Sequence, residues 1–417
     1  MPEHNPYFWI ILVAVAGIFL LDLISEWFNL KALKPKLPGE FTDVFDSAKY
    51  LESQNYTRIT TRFGFIASIY GLGLFLAFWL IGGFSWLNGI IDSWGHGQVI
   101  SGLLFFGILF LVNEILTLPF DLYDTFTIED QFGFNKTTLR TFLTDKVKGG
   151  ILAIVIGGAI LALLLWLFST DLLKDNAWLW GWAALSAFSL LMAYLAPAVI
   201  LPLFNKFEPL DDGELKDAIN SLATKCEFPL TELSVMDGSK RSSKSNAFFT
   251  GFGKNKKIAL YDTLVENHTT AELVAVLAHE IGHFKKKHIM QSMLLGIMQT
   301  GILFFLLNLF IENESLSAAF GVTPPVIHCS FLFFAMLFKP ISKVLSVAMS
   351  ILSRRNEFEA DAYAASLTGE PLSLITALKK LSADNLSNLT PHPFYVFMNY
   401  SHPPVIARIE ALRKLPL

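Results

Sequence analysis

Two histidines and a glutamate at fixed spacing, His279-Glu280-x-x-His283, are the residues of this sequence with the clearest chemical meaning. Apolar side chains recur around them at helical spacing, and Thr269 with Glu272 has the spacing of a capping box, so an α-helix is predicted. Residues four apart lie on one face of a helix, one turn apart, and two imidazoles placed in this way can bind one metal ion. The alternative is a pair of surface histidines on an amphipathic helix.

The H-E-x-x-H spacing is that of zinc peptidases. Glu280 follows His279 directly and points in a different direction, which suits a general base and not a ligand. A zinc ion would polarise a scissile carbonyl, while Glu280 would take a proton from the attacking water and deliver it to the leaving amine. The pattern therefore predicts peptide hydrolysis with one Zn2+ per chain.

A catalytic zinc ion normally has three protein ligands and an open position for water, so another segment must supply the third ligand. An alanine-rich stretch from 353 to 367 predicts a helix that carries our first candidate, Glu357. Asp361 shares the face of Glu357 and could accept a hydrogen bond from a ligand histidine, whereas Glu359 points roughly the opposite way. The competitors for the third position are His392, His402 and Glu359.

Two further features could contact a substrate. His402 lies in a rigid Ser-His-Pro-Pro loop. It could donate a hydrogen bond to a developing oxyanion, or it could have only a structural role in the loop. The apolar runs 246–250 and 257–261, joined by a glycine-containing segment, predict a β-hairpin just before the metal-site helix. A strand in that place can pair with an extended peptide, although a purely structural hairpin fits the spacing equally well.

The composition predicts an integral membrane protein. Of its 417 residues, 53% are hydrophobic and only 16% are charged, against about 25% charged in an ordinary soluble domain. The net charge of −4 and the absence of a basic patch with interleaved aromatics exclude a nucleic-acid partner. Seven apolar stretches are long enough to cross a bilayer; they are 6–27, 65–91, 99–120, 149–168, 178–204, 288–311 and 326–350.

The charge distribution predicts an orientation. The segments 29–64, 121–148, 205–287 and 351–417 carry 29 of the 32 Lys and Arg residues, and the opposite side carries one, Lys174. Cytoplasmic segments are the ones enriched in Lys and Arg, so the metal motif is predicted on the cytosolic side. Glu3 precedes the first apolar core, which favours an uncleaved span over a signal peptide.

We therefore predict a mainly α, polytopic membrane protein with seven spans and a zinc protease domain that contains a small hairpin or sheet. Its predicted parts are a five-span region 1–204, a zinc protease segment 205–287, two spans in 288–350, and a C-terminal segment 351–417. Glu114 lies inside the third span, where it could be functional or pair with a basic residue such as Lys339; we expect the structural role.

The sequence resembles a known family, the integral-membrane zinc CAAX prenyl proteases. The resemblance is carried, in order along the chain, by five motifs. They are LPFDLYDTFTIEDQFGFNK at 118–136, SNAFFTG at 245–251, HEIGH at 279–283, RNEFEADAY at 355–363 and SHPP at 401–404.

The resemblance implies a gluzincin-type site in which His279, His283 and Glu357 bind zinc and Glu280 is the base. It further implies that Asp361 supports a ligand histidine; that Asn246 and Ala247 form a substrate-binding strand; and that His402 and Arg408 lie near the substrate. The family encloses a water-filled chamber within seven helices and removes the last three residues of prenylated Cys-aliphatic-aliphatic-X proteins.

The resemblance also implies two partners, the lipid bilayer and a prenylated or membrane-associated polypeptide substrate. The membrane would be the endoplasmic reticulum in a eukaryote or the inner membrane in a bacterium. Three other hypotheses stay open: a quality-control protease of membrane proteins, an inactive scaffold, and a transporter.

Overall fold

The protein is described by a computed structural model that covers residues 1–170, 173, 176–250 and 256–416. Helices dominate it. They are α1 (Pro6–Ala32), α2 (Ser47–Leu80), α3 (Gly83–Ser93), α4 (Gln98–Tyr123), α5 (Leu139–Leu152), α6 (Gly158–Ser169), α7 (Ala177–Leu195), α8 (Leu201–Phe204), α9 (Glu214–Lys225), α10 (Asp262–Asn267), α11 (Thr270–Lys285), α12 (His288–Phe310), α13 (Glu314–Ala318), α14 (Ile327–Thr368), α15 (Leu372–Asp384), α16 (Pro393–Asn399) and α17 (Val405–Arg413).

Within these described ranges, seven helical paths are long and apolar enough to cross a membrane, as predicted. They are α1, α2, α4 with its extension to Glu129, α5–α6, α7–α8, α12 and α14. Single π-helical turns join the α5–α6 and α7–α8 pairs without ending the path. Lys174, the one basic residue predicted on the far side, falls outside the described residues.

One predicted span is divided in the structure, and the helix of another is longer than predicted. The apolar stretch 65–91 is two helices, because α2 ends at Leu80 and Gly82 has a φ of +79°, a left-handed conformation that glycine adopts without steric cost. The helix of the last span does not end near residue 350, because α14 has 42 residues and ends at Thr368. The change from apolar to polar side chains alters the surroundings of α14 but breaks no backbone hydrogen bond, so one helix carries both the span and Glu357.

The ion pairs of the spans also differ from the expectation. The partner of Glu114 is Lys146 in α5, whose Nζ lies 3.3 Å from Glu114 Oε2 and 2.6 Å from Asp121 Oδ2. The suggestion that Lys339 pairs with Glu114 is therefore wrong. The neighbouring basic residue of α14, Lys343, pairs at 2.7 Å with Asp22 of α1. Lateral neighbours of this kind depend on how the helices are arranged around one another, which sequence spacing does not encode.

A small sheet precedes the metal-site helix. Its strands are β1 (Phe207–Pro209), β2 (Leu230–Met236), β3 (Ala247–Thr250) and β4 (Lys256–Tyr261). Among the described residues the strand order is β1-β2-β4-β3, with β2 and β4 parallel and the other two pairs antiparallel. The predicted hairpin is confirmed as β3–β4, with Ala247 opposite Leu260, and β3 lies at the edge of the sheet.

Two separate hydrophobic cores hold these parts together. One joins the sheet to α9, α11, α15 and the end of α14, and it includes Leu260, Leu277 and Ala364. The other joins α1, α2, α3, α13 and α14, and it includes Trp79 stacked on Phe320. The metal motif belongs to the first core, which fixes α11 against α14 and α15.

Candidate active site

The metal-site helix α11 begins where the sequence predicts. The Thr269 side chain accepts from the backbone N–H of Glu272, and the Glu272 carboxylate accepts from the N–H of Thr269 at 2.8 Å, which completes the capping box. This arrangement satisfies two backbone donors that the first turn leaves free. The start and therefore the phase of α11 are thus specified by residues close together in the chain.

Gly282 allows α11 and α14 to approach each other closely. A Cβ atom at this position would lie 3.1 Å from both Cα and O of Ala360. Glu357 and Asp361 flank Ala360 on α14, and His279 and His283 flank Gly282 on α11. The missing side chain therefore brings the two polar faces together.

Three side chains converge at this contact. His279 Nε2 and His283 Nε2 lie 3.2 Å apart, and the Glu357 carboxylate lies 3.5 Å from the first and 3.3 Å from the second. In the described part of the chain, this is the group whose ligand atoms are all within 4.8 Å of one another and could hold a metal. Glu359 of the same helix faces elsewhere, in keeping with the predicted helical phase.

The donor set fits a zinc ion. The two Nε2 atoms face each other, and Glu357 Oε2 is buried and accepts no well-aligned hydrogen bond, although Arg408 Nη1 lies 3.1 Å from it. A cation satisfies all three atoms at once, since each has a lone pair to offer. Two imidazoles and one carboxylate with an open fourth position is a ligand set of catalytic zinc.

Behind the ligands lies a buried ion-pair network. Asp361 Oδ1 is 2.8 Å from His279 Nδ1, and the Arg408 guanidinium donates to both Asp361 oxygens at 2.6 and 2.8 Å. Arg408 Nη1 also lies 3.1 Å from Glu357 Oε2. Burial would lower the pKa of Arg408, but the charge of Asp361 outweighs it and raises that pKa. Arg408 was expected near the substrate; it lines the cavity but also supports the ligands from behind.

A cavity of ≈ 290 Å³ opens beside the three ligands. Its lining includes Glu280, Arg408, and Asn246 with Ala247 at the start of the edge strand. Burial raises the pKa of Glu280 above its ordinary value, which makes its carboxylate a better proton acceptor. The cavity therefore brings the Glu280 carboxylate and the start of the edge strand of the described sheet beside the candidate metal position.

The two loop histidines, His392 and His402, lie in different parts of the structure. His402 lies at the cavity rim, with 65% of its side chain exposed and its Nε2 3.3 Å from Glu357 Oε1. His392 instead stacks on Phe28 of α1, with ring centroids 4.9 Å apart. His392 therefore packs against a membrane helix and does not compete for the third position.

The sequence does not predict one residue of the site. His288 was assigned to the start of the sixth span, yet it is buried and its Nδ1 lies 3.1 Å from Nδ1 of His283. The one signal in the sequence is a third histidine five residues after the motif. Residues five apart do not share a face of one helix. Only the break between α11 and α12 places the His288 ring against His283.

The motif at 118–136 borders the loop that leads into β3. Arg241 of this loop binds Asp145 of α5 through two hydrogen bonds, at 2.7 and 3.1 Å. Lys244 pairs with Glu129 at 2.8 Å, and the N–H of Ser243 donates to the carbonyl of Phe134. The ends of the membrane helices thus hold the segment immediately before the cavity strand.

Seven apolar helices joined to a buried His-His-Glu site with an adjacent glutamate define a multi-pass membrane metallopeptidase. The family models agree: residues 26–206 match "CAAX prenyl protease N-terminal, five membrane helices", and residues 209–416 match "Peptidase family M48".

Full-length relatives extend this assignment. CAAX prenyl protease 1 of Saccharomyces cerevisiae is 37% identical over 92% of this chain and 89% of the relative, and the Homo sapiens homolog is 32% identical over 100% and 97%. A crystal structure of S. mikatae Ste24p superposes with a TM-score of 0.90 at 36% identity, covering 99% of this chain and 100% of that one. The chain belongs to the CAAX prenyl protease family and is a membrane zinc metalloprotease.

Proposed function

We propose that this protein removes the last three residues of prenylated polypeptides that end in a Cys-aliphatic-aliphatic-X sequence. The observation that carries the proposal is the ≈ 290 Å³ cavity, in which the candidate ligands, Glu280 and the start of an edge strand meet. The names of the full-length relatives, CAAX prenyl protease 1 and its homologs, supply the substrate class.

In this proposal His279, His283 and Glu357 hold one Zn2+ per chain. A bound zinc ion supplies Lewis acidity, which polarises the scissile carbonyl and acidifies the attacking water. Glu280 accepts the proton of that water and passes it to the leaving amine. Asp361, held by Arg408, accepts from His279 Nδ1 and so keeps the Nε2 lone pair directed at the ligand position.

The substrate lies along β3 as an added strand. The edge position of β3, and the place of Asn246 and Ala247 in the cavity wall, support this interpretation over a purely structural hairpin. Backbone hydrogen bonds to an edge strand are independent of sequence, so they hold an extended peptide without selecting its side chains. His402, exposed at the rim, is placed to donate to the oxyanion that develops on the scissile carbonyl.

The orientation follows from charge. Because 29 of the 32 Lys and Arg residues lie in four segments on one side of the membrane, those segments are cytosolic in this proposal and the cavity opens toward the cytosol. The membrane is the endoplasmic reticulum in a eukaryotic cell or the inner membrane in a bacterial one.

The test is cleavage by the purified protein of a farnesylated Cys-aliphatic-aliphatic-X peptide and of its unprenylated twin, followed by mass spectrometry of the released tripeptide. We expect preferential cleavage of the farnesylated peptide. Glu280→Gln is the control, since it should retain zinc and lose roughly 10²- to 10⁴-fold in turnover. Equal cleavage of both peptides would instead favour a quality-control protease of membrane proteins.

A further inference from the structure

His288 and Glu359 continue the candidate metal site on the side away from Asp361. His288 is the first residue of α12, and it follows Lys287, which has a φ of +60°. That left-handed residue turns the chain sharply after α11, and the imidazole of His288 packs against that of His283 with ring centroids 5.2 Å apart. The side chain of His288 is 5% exposed, so neither nitrogen has ready access to water.

Both nitrogens of the buried ring have partners. His288 Nδ1 lies 3.1 Å from His283 Nδ1, and His288 Nε2 lies 3.4 Å from Glu359 Oε2. The first distance is that of a good hydrogen bond, and the second is at the long end of the range. Glu359 itself is 40% exposed and pairs with Arg355 at 3.1 Å.

The hydrogen positions follow from the ligand role. If His283 offers its Nε2 lone pair to a metal, its proton sits on Nδ1, which then donates to Nδ1 of His288. His288 must therefore carry its own proton on Nε2, where the Glu359 carboxylate is the acceptor. Every donor in this chain of three residues has one acceptor, with no proton missing or in excess.

We propose that His288, backed by Glu359, is a positioning residue that fixes the tautomer and orientation of His283 for zinc binding. The inference deepens the proposed function and rests on it, since it takes His283 to be a zinc ligand. It makes the two ligand histidines different: Asp361 supports His279 directly, whereas a carboxylate supports His283 only through an intervening imidazole.

Zinc affinity, measured by competition with a zinc-buffering chelator on the purified full-length protein, tests this role. His288→Asn places a carbonyl oxygen near the former Nδ1 and can still accept from His283, whereas His288→Gln preserves only a group near the former Nε2. We expect His288→Gln to lose about 10- to 100-fold in zinc affinity, as loss of such a support typically does, and His288→Asn to stay within a few-fold of wild type.

This pair separates positioning from packing. A ring that only fills space would be replaced equally badly by either amide. Equal losses in the two variants, no loss in either, or a greater loss in His288→Asn would each overturn the proposal.

Glu359 provides a second, graded test. Because its contact is longer and more exposed, Glu359→Ala should weaken zinc binding by a few-fold only, and Glu359→Gln should restore it through the amide oxygen. Arg355→Ala is the matched control, since Arg355 contacts Glu359 but is 78% exposed and should leave zinc affinity unchanged. If Arg355→Ala weakened zinc binding as much as Glu359→Ala, the proposed support of His288 by Glu359 would be contradicted.

His283→Ala distinguishes a wrong ligand set from a wrong role for His288. If His283→Ala retains zinc with wild-type affinity, the proposed function fails at its ligand set and the role of His288 fails with it. If His283→Ala loses zinc but His288→Gln does not, the ligand set stands and only the positioning role is overturned.

Discussion

The guanidinium of Arg408 makes two hydrogen bonds to the carboxylate of Asp361, at 2.6 and 2.8 Å, within the interior of the protein. On the same helix, Arg413 makes an equivalent pair of bonds to Glu40, at 2.6 and 2.7 Å, but its side chain is 57% exposed. The two pairs share geometry and differ in burial, which makes them a natural comparison.

We predict that Arg408→Met lowers the free energy of unfolding by about 3–5 kcal/mol, because it leaves the buried Asp361 carboxylate without its cation. Arg413→Met should cost less than about 1 kcal/mol, since water screens the exposed pair. Unfolding of the purified protein in detergent measures both changes. Similar losses in the two variants would show that burial does not decide the value of the Arg408 pair.

The assignment of the third ligand predicts an order among three α14 variants. Glu357→Gln should lose zinc and cleavage together, because it removes the charged ligand. Asp361→Asn should lose about 10- to 100-fold, since it leaves the ligands in place and disturbs the orientation of His279. Glu359→Gln should remain near wild type. Metal content and peptide cleavage, measured on all three, decide the assignment; a zinc-free Glu359→Gln protein with zinc retained in Glu357→Gln would reverse it.

The close approach at Gly282 predicts an effect of a single methyl group. In Gly282→Ala the new Cβ would press on the backbone of Ala360, which cannot move without shifting α14. We expect a loss of stability of about 1–3 kcal/mol and weaker zinc binding, because the two ligand faces move apart.

The matched control is Gly296→Ala in α12, where a Cβ meets no atom within 4 Å. This change should be neutral or stabilise the helix by up to about 1 kcal/mol. Zinc affinity and thermal unfolding of the two variants, measured together, test the contrast. Wild-type zinc affinity in Gly282→Ala would mean that α14 tolerates the displacement.

His268 predicts a pH dependence of stability. It is buried, and burial lowers its pKa despite the nearby carboxylates of Glu272 and Asp384 and the backbone of Leu264; Lys380 lowers it further. The unfolded chain therefore takes up a proton as the pH falls below 6.5, while the folded chain resists it. Stability is fully present above that pH and declines below it, by up to about 1.4 kcal/mol per pH unit.

His268→Leu removes the contribution of His268 protonation to the stability. As the pH is lowered from 7 to about 5, the unfolding temperature of this variant should therefore fall less steeply than that of wild type. The measurement is thermal unfolding in detergent across that range. Parallel curves for the two proteins would show that His268 does not carry the linkage.

Local features of the site could be predicted from the sequence because they depend on residues close together in the chain. The capping box of Thr269 and Glu272 fixes the start of α11, and the helical repeat alone separates Glu357 and Asp361 from Glu359. The number of membrane spans is of the same kind, since it follows from the length and composition of each apolar stretch. The hairpin of β3 and β4 is also local.

What the tertiary structure decided are the contacts between elements. The sequence predicts that Glu114 needs a partner but not that Lys146 provides it, and it offers no reason to place Arg408 against Asp361. His288 is the clearest case: five residues after His283 it would leave the metal face of one continuous helix, and only the turn at Lys287 returns it. Periodicity constrains directions within an element, whereas such pairings depend on packing between elements far apart in the chain, which no local spacing encodes.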